Sequence, residues 1–293
     1  MQTLKFVRMV YDTFGLGPYK MVLSTRPADH TIGTEEEWKS AEEQLKSALN
    51  SSGREWSINE GDGAFYGPKI DIILKDSNGK EHQTATIQLD FQLPQRFDLQ
   101  YQASPEELES QKERQEGIRE GMLRPVIIHR AIYGSLERFM ALLMEHYDGN
   151  WPFWLAPRQA IILSVNQNPE VLDHVAEMQK TLSLGTSSAT EGDQAPLPLD
   201  RILLNVDTDT SANSLKSKIV DARSKRYNHI IVVGVEEAKN KTMSLGFGSQ
   251  PQKKKAEVLL KHHSGAELTK RQEVMIPAEV ARKYMEDLVR KYL

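Results

Sequence analysis

The run His129-Arg-Ala-Ile-Tyr-Gly-Ser-Leu-Glu-Arg-Phe139 holds the residue types best suited to chemistry in this chain. His129 brings an imidazole that can move a proton or ligate a metal near neutral pH. Arg138 brings a planar, permanently charged guanidinium, which suits phosphate oxygens and aromatic faces. Val126 to Arg130 reads as a strand, Gly134-Ser135 as a turn and Leu136 to Tyr147 as a buried helix. One connected piece of backbone therefore sets both side chains toward a cleft. A second polar group lies upstream, where Thr84, Thr86, Gln88 and Asp90 alternate with Ala85, Ile87, Leu89 and Phe91. That polar strand face either lines a wet cleft or is the solvated face of an antiparallel sheet, and periodicity does not choose between them. Cysteine is absent, which excludes disulfides and thiolate ligands. The eight histidines are scattered, and no H-x₃-H pair offers a self-contained zinc site.

The elements that must position these residues follow from local pattern. Leu4, Val7, Val10, Tyr11 and Phe14 give a helix from Thr3 that stops at Gly15. Tyr19 to Ser24 follows as a strand. Thr34-Glu-Glu-Glu37 is a capping box opening a helix with Trp38, Ala41, Leu45 and Ala48 on one face. From Trp56 the period changes to two, with Lys69, Asp71 and Ile73 opposite Ile70, Ile72 and Leu74. Asp76-Ser-Asn-Gly79 turns this strand into its return. Ser104 begins a polar stretch to Glu120, helical or partly mobile. The apolar run Phe139 to Met144 predicts a helix buried on most sides.

After Pro157 the pattern becomes strand (Ala160 to Val165), helix from Asn168-Pro169, and a Ser/Thr/Gly/Pro-rich loop over Gly185 to Pro198. A strand (Ile202 to Val206), a helix (Ser214 to Lys225) and a strand (His229 to Val235) come next. A loop, a strand (Glu257 to Leu260) and a helix from Pro277 complete the series. This predicts a small α/β domain on a mostly parallel sheet, with the domain boundary at Pro157. The 293 residues suffice for two domains, and 39% hydrophobic with 27% charged content is that of a soluble globular protein. A net charge of −4 argues against blanket attraction to nucleic acid, although Lys253-Lys-Lys255 hints at a local basic face. No stretch approaches the roughly 20 apolar residues of a membrane span, and no targeting segment is evident. Neither a G-x-G-x-x-G nor a Walker A pattern occurs.

Five blocks resemble the threonyl-tRNA synthetases, in the family's order. They are Leu23-Ser-Thr-Arg-Pro27, Ala64-Phe-Tyr-Gly-Pro-Lys-Ile-Asp71, Thr86-Ile-Gln-Leu-Asp-Phe91, the His129 run and Trp154-Leu-Ala-Pro157. The His129 run resembles motif 3 of class II aminoacyl-tRNA synthetases, placed at 124–147, and the wording looks closest to fungal mitochondrial forms. The resemblance implies an α/β (α+β) fold. Residues 1–156 would be the C-terminal part of a class II catalytic core, a partial antiparallel sheet with flanking helices. Residues 157–293 would be a small α/β anticodon-binding-like domain. It also implies ATP-dependent activation of threonine to threonyl-adenylate, with Mg2+, and transfer to tRNA(Thr).

In the site that the resemblance implies, Arg138 stacks on adenine and meets the ATP phosphates. Tyr66 and Lys69 lie beside the amino-acid pocket, while Thr86, Gln88 and Ser135 line the adenylate cleft, with Gln83 as a further candidate. His129 matches a zinc-ligand histidine and Glu237 a glutamate that contacts anticodon bases. Ala85 stands where many members have glycine, and Thr84 where many have cysteine. Departures are also visible. Ser244-Leu-Gly-Phe-Gly248 lacks the arginine usual in that strand, and Ser211-Ala-Asn-Ser214 lacks the usual glycine, which puts anticodon readout in question.

The family's zinc site takes a cysteine and two histidines, of which only His129 is matched. Motif 1, which carries the dimer contacts, and motif 2, with its Arg-x-Glu strand pair, lie upstream in the family. Arg96-Phe-Asp98 is the nearest lookalike, in the wrong place. The expectation is therefore an N-terminally incomplete threonine–tRNA ligase, inactive alone, from the mitochondrial matrix or the cytoplasm. The alternative is a non-catalytic synthetase-like protein that binds tRNA or a protein partner through its C-terminal domain.

Overall fold

Leu4, Val7, Val10 and Tyr11 recur at helical spacing and bury one face of α1 (Gln2–Phe14), which Gly15 ends at φ 67. The computed structural model describes residues 1–110, 117–184 and 202–293, in two units, Met1–His146 and Tyr147–Leu293. In the first unit α1 is followed by β1 (Lys20–Ser24), α2 (Glu35–Asn50), β2 (Trp56–Asn59), β3 (Lys69–Lys75) and β4 (Glu81–Asp90). Then come α3 (Leu93–Arg96), β5 (Tyr101–Gln102), α4 (Pro105–Ser110), β6 (Met122–Leu123), β7 (Ile127–Ala131) and α5 (Leu136–Tyr147). Among the described residues, β2-β1-β3-β4-β7 form one sheet, antiparallel except for the β1–β2 pair.

The capping box at α2 is formed. Glu37 N–H donates to Thr34 Oγ1 at 3.2 Å, and Thr34 N–H donates to Glu37 Oε2 at 2.8 Å. Trp38, Ala41, Leu45 and Leu49 bury the helix face, with Leu49 rather than Ala48 completing the stripe. Asp76 Oδ1 accepts from the amides of Asn78 and Lys80, which fixes the β3–β4 turn.

The alternation in β4 does not run unbroken as the sequence suggests. Ile72 pairs with Ala85, but Ile73 pairs with Gln83, so Thr84 is an extra residue at a register shift. Thr84 is buried and leaves the polar face. Tyr11 donates to its Oγ1 at 2.7 Å, and burial of that phenol pushes the Tyr11 pKa up to about 12. Gln83 takes its place beside Thr86 and Gln88.

Helix α5 departs from expectation too. Phe139, Leu142 and Leu143 are buried, but Leu136, Met140 and Met144 are 61, 50 and 58% exposed. The apolar run is continuous in sequence, but only one helical stripe of it meets the unit's own core.

The second unit contains β8 (Ala160–Ser164), α6 (Pro169–Leu184), β9 (Val206–Asp209), α7 (Leu215–Ser224) and β10 (His229–Val233). It continues with α8 (Val235–Asn240), β11 (Met243–Phe247), α9 (Lys253–Ser264), β12 (Glu273–Ile276) and α10 (Ala278–Arg290). The sheet order is β12-β11-β10-β8-β9. Pairings β8–β9 and β8–β10 are parallel, but β10–β11 and β11–β12 are antiparallel, so the sheet is mixed rather than mostly parallel. Glu257 to Leu260 is helical, because Ala256, Leu259 and Leu260 bury one face of α9. The strand expected at Ile202 to Val206 begins only at Val206. Leu204 is buried ahead of it and its amide bonds to Ser183 O, outside the ladder. The Gly185 to Pro198 loop lies outside the described residues, as does part of the polar stretch after Ser104.

Residues 151–154, ahead of Pro157, bond within the second unit. Trp154 N–H donates to Leu293 O, and Asn228 Nδ2 donates to Trp151 O. Buried Lys218 ties α7 to the strand ends, donating to Ser164 O at 2.9 Å and Asp209 O at 3.2 Å.

Candidate functional site

The segment between β2 and β3 is held over the sheet by Thr25. Its Oγ1 accepts from Gly61 N–H at 3.1 Å and its carbonyl accepts from Gly63 N–H at 2.7 Å. Further along, Gly67 lies so close to β4 that a Cβ there would fall 1.9 Å from Leu89 O. Only glycine allows that approach. Between this segment and the polar face of β3, β4 and β7 lies a cavity of about 540 Å3. Lys69, Gln83, Thr86, Gln88, His129 and Arg130 line it, together with Asp62.

Asp71, 4% exposed, organises the floor. Its Oδ2 accepts from Lys69 Nζ at 2.9 Å and Ser24 Oγ at 2.9 Å. Its Oδ1 accepts from Gln83 Nε2 at 2.6 Å and Thr86 Oγ1 at 2.9 Å. Lys69 also meets Asp62 Oδ2 at 3.2 Å. Burial alone would lower the Lys69 pKa, but the bonds to Asp71 and Asp62 together outweigh it and hold the ammonium above its ordinary value. Gln88 Oε1 accepts from Tyr66 O–H at 3.0 Å, while Gln88 Nε2 is buried with no partner. An unpaired buried amide donor beside a cavity is a costly feature that an acceptor on a ligand would satisfy.

His129 Nε2 lies 2.8 Å from Asp90 Oδ2, a fully buried carboxylate, and its ring is 6.2 Å from that of Tyr66. Among the described residues no group of three His, Cys, Asp or Glu is placed to hold a metal ion. The residues present around His129 therefore do not fit a zinc site.

Arg138 lies outside the cavity lining. Its guanidinium donates to Gln83 O at 3.2 Å, at the edge of the β4 shift. Ser135 Oγ accepts from the Arg138 amide at 3.2 Å and so caps α5. Glu237 is in the other unit, where its Oε2 accepts from Gly234 N–H at 2.9 Å and so ties down the start of α8. The fold thus brings Lys69, Gln83, Thr86 and Gln88 together with His129, and Tyr66 against them. Asp71, Asp62 and Arg130 were not singled out from the sequence. Asp71 shares a strand face with Lys69, a signal that was present.

Residues 1–147 match the family model "tRNA synthetase class II core domain (G, H, P, S and T)". The chain is 46% identical to "Probable threonine--tRNA ligase, mitochondrial" of Schizosaccharomyces pombe, over 83% of this chain and 49% of that protein. It is 43% identical to the mitochondrial threonine–tRNA ligase of Saccharomyces cerevisiae, over 80% of this chain and 49% of that one. The chain spans about half the length of these curated relatives. Among solved structures, the RNA binding domain of threonyl-tRNA synthetase from Cryptosporidium parvum matches with a TM-score of 0.75 and 36% identity, covering 98% of this chain and 59% of that one. A threonyl-tRNA synthetase from Aeropyrum pernix matches with a TM-score of 0.65 and 28% identity, covering 99% and 60%. With its antiparallel polar-faced sheet and its mixed α/β unit, the chain belongs to the threonyl-tRNA synthetase family of class II aminoacyl-tRNA synthetases.

Proposed function

We propose that the chain carries one wall of the active cleft of a threonine–tRNA ligase in its first unit, Met1–His146, and a tRNA-contacting domain in its second. The observation that carries this reading is the Asp71-centred cluster, which aims Lys69, Gln83 and Thr86 at one cavity beside the unpaired Gln88 amide. In the reaction, the threonine carboxylate attacks the α-phosphate of ATP and pyrophosphate leaves. A ribose hydroxyl at the tRNA 3′ end then attacks the acyl carbon and AMP leaves. Gln88 Nε2 donates to an oxygen of the adenylate, and Thr86 and Gln83 hold the floor on which it rests. Lys69 faces developing negative charge, and Tyr66 orients Gln88. Arg138 reaches the nucleotide from the rim, with Ser135 fixing the start of its helix. ATP brings Mg2+ with it, and Glu237 meets anticodon bases. The setting is mitochondrial or cytoplasmic, a reading that relatives of both kinds support without choosing between them.

The chain alone is proposed to be inactive or nearly so in threonine-dependent ATP–pyrophosphate exchange, because Lys69 in the cavity is already held by the carboxylates of Asp62 and Asp71, and His129 faces Asp90. Triphosphate chemistry needs several cations converging on the phosphates. The same charge balance favours a second reading, a non-catalytic member that binds RNA or a protein partner. Calorimetry with a non-hydrolysable threonyl-adenylate sulfamate separates the two. Saturable binding that Gln88→Leu abolishes is expected. No binding to the wild-type chain would sink the ligase reading and leave the second.

A further inference from the structure

We propose that a basic concavity of the second unit, built from the first turn of α9 and the turn before β12, binds the sugar–phosphate backbone of RNA. This rests on the tRNA ligase reading and deepens it. The concavity measures about 740 Å3 and is lined by Gln252, Lys253, Lys254, Lys255, Glu257 and Gln272, with Pro251 at its edge. Lys253 Nζ donates to Gln272 Oε1, and Lys255 Nζ donates to Gln252 Oε1 at 2.8 Å. Both acceptors are neutral, so the positive charge is oriented without being cancelled.

Among the described residues, Lys253, Lys254, Lys255, Lys270 and Arg271 form no ion pair. Lys225, Lys241, Lys261 and Lys291 of the same unit each meet a carboxylate. Glu257 is the one acid in the lining, in a chain whose net charge is −4. The concentration of charge is therefore local.

The helix itself supplies a second observation. The first turn of α9 carries no acidic residue, and its N-cap Gln252 makes no side-chain cap bond. Three cations at the positive end of a helix dipole repel it, and an anion there relieves both charges at once. The carboxamides of Gln252 and Gln272 add donors and acceptors suited to ribose 2′-hydroxyls. Strand β11 beneath, Met243–Phe247, carries no arginine to read base edges. Recognition here runs through charge and backbone shape.

The test is fluorescence anisotropy of the full chain with a tRNA(Thr) transcript and with poly(A), across a salt series. It compares wild type with Lys253→Gln/Lys254→Gln/Lys255→Gln and with the triple Lys→Arg variant, after circular dichroism shows equal folding. The Gln variant is expected to weaken tRNA binding about tenfold or more at moderate salt and to flatten the log–log salt slope by about three, while the Arg variant behaves as wild type. Wild-type binding of tRNA with the Gln variant unchanged overturns the RNA site and leaves the ligase reading standing. Equal wild-type affinity for poly(A) and tRNA, with both lost in the Gln variant, supports the RNA site and sinks the tRNA reading. Absence of wild-type binding to either RNA overturns the site.

Discussion

Lys69 and Asp71 lie on the same face of β3, and their ammonium and carboxylate meet at 2.9 Å while Asp71 holds Ser24, Gln83 and Thr86 with its remaining capacity. One buried carboxylate thus fixes side chains from three strands. Removing it leaves Lys69 with only the exposed Asp62 as a counter-charge and takes an acceptor from Ser24, Gln83 and Thr86 at once, a loss that exceeds the value of any single bond. Asp71→Ala is expected to lower the stability of the first unit by about 3 kcal/mol, and Asp71→Asn by about half as much. Urea unfolding measures both. The Lys69 pKa is raised, so the contribution of its ammonium is complete below the ordinary value of 10.5 and fades as pH climbs through the raised value. A stability change below about 0.5 kcal/mol in Asp71→Ala would remove Asp71 from the centre of the site.

Gly67 makes a different prediction, because it concerns space alone. A Cβ at this position would meet Leu89 O at 1.9 Å and Leu89 C at 3.0 Å, both backbone atoms that cannot rotate away. Gly67→Ala must push the Tyr66 segment off β4, at a cost of at least about 2 kcal/mol. Since Tyr66 would move with it, Gln88 Oε1 loses its phenolic donor and ligand affinity falls together with stability. Gly79→Ala, in the β3–β4 turn outside the cavity lining, is the control for fold loss without cavity loss. It is strained at φ 80 but has nothing within 4 Å of its Cβ.

Elements whose signals are local were legible in the sequence. The Thr34–Glu37 capping box, the Asp76 turn and the Gly15 stop each depend on residues a few positions apart. The Lys69 and Gln88 strand faces followed from period two. The Thr84 shift was not legible, because a bulge is a mismatch between two strands and the alternation of β4 continues through it unchanged. Asp71 was half visible. Period two put it on one face with Lys69, but its partners Ser24, Gln83 and Thr86 come from other strands, so its burial was not legible. The Glu257 to Leu260 run is too short for periodicity to decide, although Ala256 ahead of Leu259 gave helical spacing. Exposure of Leu136, Met140 and Met144 depends on what packs over α5, which composition does not encode.

Glu237 has two possible jobs that one pair of substitutions separates. Its Oε2 accepts from Gly234 N–H at 2.9 Å, a bond glutamine can also make. Glu237→Gln is expected to keep stability within about 0.5 kcal/mol of wild type, while Glu237→Ala loses about 1 kcal/mol in urea unfolding. If the carboxylate also meets anticodon bases, both variants lose discrimination between tRNA(Thr) and a transcript with an altered anticodon. Unchanged discrimination in Glu237→Gln, at full stability, would confine the residue to its capping role.

His229 sets the acid response of the second unit. It is fully buried between Phe153, Phe247 and Tyr284. Its Nδ1–H donates to Gly246 O at 3.3 Å, and Nε2 accepts from the Tyr284 hydroxyl at 3.3 Å. Burial pushes its pKa down from the ordinary 6.5 to about 4, against a smaller opposing effect of the Gly246 carbonyl. The folded unit therefore binds this proton more weakly than the unfolded chain does. Stability is full above about pH 6.5 and is lost as pH falls toward 4, by on the order of 3 kcal/mol. The depressed carboxylates Asp209 and Asp287 act in a lower window, beginning near the ordinary aspartate value of 3.8. Urea midpoints between pH 8 and 4 should fall for wild type and stay nearly level for His229→Phe/Tyr284→Phe, which removes both polar partners together and leaves no unpaired hydroxyl. An equal slope in the double variant would move the acid sensitivity away from His229.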